Sequence, residues 1–465
     1  MLQVLVVPGV FIATDFADAA TISSGGPLGD LVQWADLISA LHVLGHNVTL
    51  EWDVLRYDKY LWTGIPGCPR TGMDLVFTDI IALKTFPNDV LKKHSCRIRV
   101  IDAYGTEAMY NHPKYSLKHG YNSPYYGRLG MDLRQFLTFY PHTPENSFLG
   151  FVVSRPMNDS LKVQSNIVLL YGKKAKYFEG VKPFISQMVQ LGLEVHATSD
   201  NDTVLPRGVH NHGILPFEQY QSLMASAKYF VGLGQPLEST AAVEALANAC
   251  IFINPRFDKN QSRLLQHMNK PTSRLLESQV TYLTEEVGPP HVYTINISNP
   301  FEVSQMFAAT KDIKVPSSYI PPVFTMNSFL QRIAITTQNQ DLCVTALKRK
   351  IWPPVSALVP VYGQPNQSCS DACLSHGLMC EYSFFRDVNT AEVFSDKQLN
   401  ITCPGEIKSM DGLLYPARLV FRALCALQPE PLLFSCTGRH PDIQRVCPCR
   451  EFLPEQPSIC KQCFR

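Results

Sequence analysis

Short unbroken apolar runs recur along this chain, each followed by a turn and then by a stretch with helical spacing. Runs of this kind predict parallel strands covered on both faces by helices. Val4-Leu5-Val6-Val7 is the first, and the pattern predicts strands at Leu2–Val7, Val48–Trp52, Leu75–Thr78 and Ile98–Ile101. Between the first two lies Ser24-Gly25-Gly26-Pro27, a loop whose glycines admit close backbone approach and whose proline suits the start of a helix. From Leu28 to Leu44 apolar residues dominate, with Asp30, Gln33, Asp36 and Ser39 as a thin polar stripe. Gly45-His46-Asn47 ends that helix, so strand, glycine-rich turn, helix and strand make a βαβ unit.

The alternation restarts after the turn-rich Pro141-His142-Thr143-Pro144-Glu145-Asn146. Strands are expected at 167–172, 193–197, 229–233 and 251–253, with helices around 181–191 and 241–249. A further helix over 328–342 leads to Trp352-Pro353-Pro354, a boundary signal. The expected fold class is α/β: two Rossmann-like domains, 1–150 and 151–345, facing a cleft, then a region over 346–465 where periodic patterning fades.

Composition narrows the function classes. A formal charge of +1 offers no global field for nucleic acid or anionic membrane, so an anionic ligand needs a local site. No segment reaches the ~20 apolar residues of a membrane span, and Leu2–Phe11 lacks the basic flank and cleavage site of a signal peptide. Of 14 cysteines, ten (Cys369, Cys373, Cys380, Cys403, Cys425, Cys436, Cys447, Cys449, Cys460 and Cys463) crowd the final region, which reads as disulfide-stapled. Cys447-Pro-Cys449 with Cys460-Lys-Gln-Cys463 reads alternatively as paired zinc knuckles, although Cys-x-Cys is not the usual spacing and six cysteines would be left over. Sequons at Asn47, Asn158, Asn201, Asn296, Asn366 and Asn400 join the cysteines in pointing to an oxidising secretory lumen.

Several residues are candidates for chemistry. Asp30 stands in the first turn of its helix, where the backbone dipole favours the ionised form and a carboxylate can serve as base; plain helix capping is the ordinary alternative. Gly232-Leu233-Gly234 leads from a strand into a small-residue helix that carries Glu238 and Glu244. Such a junction offers N–H groups to a diphosphate, and glutamates amid apolar neighbours need hydroxyl or amide partners. The chain has no Gly-x-x-x-x-Gly-Lys-Ser/Thr pattern, which argues against a P-loop nucleotidase. Lys270 and the pair Lys173-Lys174 are cations suited to a leaving phosphate, against the ordinary reading of solvated lysines. Asp102 lies where a strand meets a loop at the carboxyl edge of the sheet, and Tyr125-Tyr126 offers aromatic faces for a sugar ring.

Longer runs carry a resemblance: Ser24-Gly25-Gly26-Pro27-Leu28-Gly29, Leu31-Val32-Gln33-Trp34, Asn146-Ser147-Phe148-Leu149-Gly150-Phe151, Asn211-His212-Gly213-Ile214-Leu215, Gly363-Gln364-Pro365-Asn366-Gln367-Ser368-Cys369 and Arg445-Val446-Cys447-Pro448-Cys449-Arg450. Through them the chain resembles the N-acetylglucosaminyltransferase V family, the α-1,6-mannosylglycoprotein 6-β-N-acetylglucosaminyltransferases of the Golgi, over nearly its whole length. The resemblance implies a GT-B fold and an inverting, metal-independent transferase with no cofactor. Such an enzyme moves GlcNAc from UDP-GlcNAc to the 6-hydroxyl of an α-1,6-linked mannose of N-glycans, giving a β1,6 branch. Asp30 falls at the family's catalytic base, Glu238, Glu244 and Lys270 on its donor side, Asp102 at its acceptor aspartate and Tyr125 at its acceptor-stacking tryptophan.

Two residues depart from the family: its base is glutamate, one methylene longer than Asp30, and Tyr125 is smaller than tryptophan. The alternative reading is a catalytically weak or inactive glycan-binding homologue; a retaining transferase or phosphorylase of similar architecture stands third. The implied compartment is the Golgi lumen, as a type II membrane protein or a secreted form. The family's cytoplasmic tail, anchor and stem have no counterpart here, so the expectation is a fragment of a longer chain or a sequence lacking its first exons.

Overall fold

The computed structural model describes residues 1–13, 28–51, 72–87, 91, 94–121, 128–141, 143–154, 166–258, 276–313, 317–343, 352–395, 401 and 403–463, without the side chains of Ile12, Ala13, Leu28 and Asp30. Its first sheet comprises β1 (Gln3–Val7), β2 (Asn47–Leu50), β3 (Leu75–Asp79), β4 (Ile98–Ile101), β5 (Phe136–Thr138) and β6 (Ser147–Phe148), in the order β2-β1-β3-β4-β5-β6. All neighbours pair parallel. Val4 to Val7 are fully buried, which is why this strand reads as a continuous apolar run without alternation.

The second sheet comprises β7 (Ile167–Tyr171), β8 (Glu194–Ala197), β9 (Val209–Asn211), β10 (Tyr229–Gly232), β11 (Ile251–Pro255) and β12 (Val292–Ile295). Its order, β12-β11-β10-β7-β8-β9, is the doubly wound Rossmann order, again parallel throughout. Chain direction across the sheet reverses between β7 and β10, so a crevice opens beyond Tyr171 and Gly232, which are register partners. The expected pair of Rossmann-like domains is present.

The Leu28–Val43 helix packs Trp34, Leu37 and Leu41 into the core at spacings of three and four. Each such side chain contributes about 1.5–3 kcal/mol. Gly45, at φ 80°, closes the helix through Gly45 N–H to His42 O (2.9 Å) and His46 N–H to Leu41 O (3.0 Å). The polar stripe binds the interdomain linker: Gln33 Nε2–H donates to Gly150 O (3.3 Å), and Asp36 Oδ2 accepts Val152 N–H (2.8 Å). A buried linker needs partners for its amides, and the stripe supplies them.

After the second sheet the chain returns to the first domain through the Met326–Gln338 helix. Arg332, fully buried, donates to Leu149 O (2.8 Å) and Val323 O (2.7 Å) and stacks on Phe148, and Cys343 closes a disulfide with Cys96. The final region forms a sheet of β13 (Val359–Tyr362), β14 (Met379–Cys380), β15 (Glu406–Ser409), β16 (Ala417–Leu419), β17 (Leu424–Leu427) and β18 (Ile443–Arg450). β18 lies between β13 and β16 and also pairs with β14.

Disulfides Cys369–Cys447, Cys373–Cys449, Cys380–Cys436, Cys403–Cys425 and Cys460–Cys463 staple this region. They displace the zinc-knuckle alternative, because a sulfur committed to a disulfide is no thiolate ligand. Buried Glu381 joins the region to the first domain by pairing with Arg134 and, at 2.7 Å, with Arg450 Nε. Burial raises the pKa of that carboxyl, but the two guanidinium groups outweigh it and hold it below its ordinary value. Among the described residues no helix is long and apolar enough to cross a membrane.

Candidate active site

Three loops meet where the carboxyl ends of the two sheets face each other. The first is the start of the Leu28–Val43 helix: a Cβ added at Gly29 would lie 3.4 Å from Thr240 Oγ1 and 3.9 Å from Ser239 Oγ. The backbone of Asp30 therefore stands in a helical turn facing the second domain's Ser239-Thr240. Residues 14–27, with Ser24 to Pro27, and the Asp30 side chain lie outside the described set.

The second is the loop from β10 to the Ala241–Ala247 helix. Gly232 has no room for a side chain, since a Cβ would lie 2.3 Å from Gln279 Oε1 and 2.5 Å from Pro255 Cδ. Gln279, itself fully buried, clamps the loop: Gly234 N–H donates to its Oε1 (2.9 Å), its Nε2–H to Pro236 O (2.8 Å), and Glu238 N–H to its carbonyl (3.0 Å). Glu238 is held at φ 46° with its side chain buried, and its Oε1 has no hydrogen-bond partner among the described residues. A positive φ in a non-glycine residue and a buried acceptor without a donor each cost about 1–3 kcal/mol, which makes this carboxylate a candidate for ligand binding.

Six residues on, Glu244 accepts Thr240 Oγ1–H (2.9 Å) and Gln221 Nε2–H (3.3 Å). Burial raises its pKa; Thr240, Gln221 and the charge of Lys173 oppose the rise. Lys173 lies just past β7 at the crevice; burial lowers its pKa while Glu244 holds the charge in place. Burial, against the Val152 bond and with Glu244 adding to the rise, pushes the Asp36 carboxyl up to about 6. Tyr140, from the first domain, crosses to donate its OH to Ser239 O (2.9 Å).

The third is the loop after β4. Asp102 is buried, accepts Thr106 Oγ1–H through Oδ2 (2.7 Å) and donates its N–H to Leu137 O (2.9 Å). Two residues on, Tyr104 packs against Leu237, Phe257 and Leu276 of the second domain. The structure thus gathers Glu238, Glu244, Lys173 and the Asp102 loop with the helix turn that bears Asp30. Lys270 and Tyr125 lie outside the described residues.

Gln279 and Tyr140 shape the candidate site without having been singled out in the sequence, and Asp36 was read there only as part of a polar stripe. No local signal marks Gln279, which meets Gly234 across 45 positions of chain. An Asp-x-Asp spacing, of the kind that can hold a metal-bound diphosphate, does occur at Asp200-Asn201-Asp202, but its carboxylates are engaged elsewhere. Asp200 accepts Ala175 N–H (2.8 Å) and faces Lys174 at 3.5 Å, and Asp202 takes the Asn211 amide.

Two Rossmann-like domains whose ligand edges converge on such a cleft define a GT-B glycosyltransferase fold. A family model described as "Glycosyltransferase family 18" matches residues 1–449, and the chain belongs to that family. It is similar to alpha-1,6-mannosylglycoprotein 6-beta-N-acetylglucosaminyltransferase A of Homo sapiens, at 37% identity over 97% of this chain and 62% of that protein. The B form of Homo sapiens matches at 36% identity over 99% of this chain and 64% of its own length. A Caenorhabditis elegans protein with the same enzyme name matches at 33% over 95% and 68% respectively. This chain therefore spans under two thirds of the length of the human relatives. Among solved structures, spinosyn forosaminyltransferase SpnP aligns at TM-score 0.35 and 14% identity, over 72% of this chain and 94% of that one.

Proposed function

We propose that the chain is an inverting, metal-independent N-acetylglucosaminyltransferase of the Golgi lumen, moving GlcNAc from UDP-GlcNAc to the 6-hydroxyl of an α-1,6-linked mannose of N-glycans. The names of its relatives support transfer of N-acetylglucosamine to an α-1,6-mannosylglycoprotein. The observation that carries the reading is the approach of Gly29, next to Asp30, to Ser239-Thr240 beside Glu238, across the cleft between the domains.

In this reading Asp30 takes the proton from the mannose O6 as that oxygen attacks the anomeric carbon. The bond from that carbon to the phosphate oxygen breaks, the electron pair leaves with UDP, and the configuration inverts. Glu238, with an acceptor oxygen to spare, receives a hydroxyl of the donor sugar, and Glu244 receives the ribose. Lys270 and Lys173 supply positive charge to the departing diphosphate, the work a metal ion does elsewhere. Asp102 and Tyr125 hold the acceptor.

The test is Asp30→Asn, which removes the base while keeping the shape. Transfer to a biantennary glycan should be abolished with UDP affinity retained, EDTA should leave wild-type activity unchanged, and the wild-type product should carry a β1,6 linkage by NMR. Full activity of Asp30→Asn would remove Asp30 from the reaction. Glycan binding by the wild-type protein without any product would establish the inactive homologue instead.

A further inference from the structure

We infer that the cysteine-rich region is a working part of the acceptor site: through Glu145 and Asn146 it fixes the loop that presents Asp102, with Thr106, Asn146, Glu145 and Ser435 as positioning residues. The inference rests on the assignment of Asp102 to acceptor binding.

The chain of contacts is continuous. The bond from Thr106 Oγ1–H to Asp102 Oδ2, at 2.7 Å, sets the plane of the carboxylate. Thr106 is in turn gripped at both backbone groups by one side chain: its N–H donates to Asn146 Oδ1 (3.0 Å), and Asn146 Nδ2–H donates to its carbonyl (2.9 Å). The same Nδ2 group reaches Leu133 O (2.9 Å), and all three residues of the grip, Asp102, Thr106 and Asn146, are buried. Gly105 between them sits at φ 77°, where a Cβ would lie 2.3 Å from Asn146 Oδ1 and 2.7 Å from Thr143 Cγ2. The amide is packed directly onto the loop backbone, so the loop cannot shift without it.

The adjacent residue faces the other way. Glu145 is fully buried, and its Oε1 accepts Ser435 Oγ–H (2.7 Å) and Cys436 N–H (2.6 Å) from the cysteine-rich region. Cys436 is bonded to Cys380, whose neighbour Glu381 is held by Arg450 and Arg134. Arg134 completes the circuit by donating through Nη1 to Asn146 O (2.7 Å). The Glu145-Asn146 dipeptide is therefore pinned by the stapled region on one side and pins the acceptor loop on the other. A carboxylate that must meet sugar hydroxyls with hydrogen-bond accuracy gains from such pre-set geometry.

The experiment uses the whole chain and calorimetry with two probes, a biantennary N-glycan and UDP. Thr106→Val removes the hydroxyl at constant shape and should weaken glycan binding about tenfold with UDP affinity unchanged, and Thr106→Ser should restore it. Ser435→Ala, distant in sequence and outside the first domain, should weaken glycan binding about threefold, again with UDP unaffected. Unchanged glycan affinity in Thr106→Val and Ser435→Ala, alongside a loss in Asp102→Asn, would overturn the inference and leave the Asp102 assignment standing. Equal losses for glycan and UDP would reduce the contacts to general scaffolding and also overturn it. Unchanged glycan affinity in Asp102→Asn would remove the underlying assignment itself.

Discussion

Replacing Gln279 with alanine tests how the donor loop is built. The side chain makes two bonds to that loop, accepting Gly234 N–H at 2.9 Å and donating to Pro236 O at 2.8 Å, and it is fully buried. Removing one partner of a buried bond costs the desolvation of the group left behind, about 1–3 kcal/mol. Two such losses sum to about 2–6 kcal/mol, and a water entering the vacated space would bring the figure toward the lower end. That is a large share of the roughly 5–15 kcal/mol that holds a domain folded.

Urea unfolding of Gln279→Ala should show a lower midpoint at unchanged slope, and UDP affinity should fall because the loop loses the two side-chain bonds that set the positions of Gly234 and Pro236. Gln279→Glu keeps the acceptor for Gly234 but buries a carboxylate oxygen against Pro236 O, so at neutral pH a loss at least as large as that of Gln279→Ala is expected. Wild-type midpoint and wild-type UDP affinity in Gln279→Ala would refute the claim that this residue shapes the loop.

Further outcomes follow from two other contacts. Burial, together with the nearby charge of Glu107, pushes the Glu145 carboxyl from 4.5 up to about 7, against its bonds from Ser435, Cys436 and Ala108. The folded state then holds a proton that the unfolded state has released, so this stabilisation is complete on the acid side and is lost as pH rises toward 7. Urea midpoints at about pH 5.5 and about pH 8 should differ in the wild type, and the difference should shrink in Glu145→Gln. Cys96–Cys343 closes a sequence separation of 247, and Cys96→Ser paired with Cys343→Ser should lower stability by about 2–4 kcal/mol in the same titration.

Most of the strands legible in sequence are buried on both faces; Asn47–Leu50, only partly buried, was read as well. Gln3–Val7, Leu75–Asp79, Ile98–Ile101 and Ile167–Tyr171 match the apolar runs to within a residue or so, because full burial leaves no polar face to interrupt the run. The short strands Phe136–Thr138, Ser147–Phe148 and Val209–Asn211 carry no period long enough to read. In the cysteine-rich region, cross-links supply order that periodic apolar faces supply elsewhere, so its strands left no pattern. The Asp36 and Gln33 stripe was legible as polar, but its role as the partner of linker amides was not.

By itself the sequence determined the local terms: which runs are strands, where Gly45 ends a helix, and that many cysteines crowd one end. Only the tertiary structure decided which loops share a cleft, that Gln279 holds a loop far from it in the chain, and that Ser435 reaches back to Glu145. The physical reason is range. Propensity, capping and alternation act between residues a few positions apart, whereas a binding cleft is made of groups whose separation along the chain leaves no trace in the spacing of either.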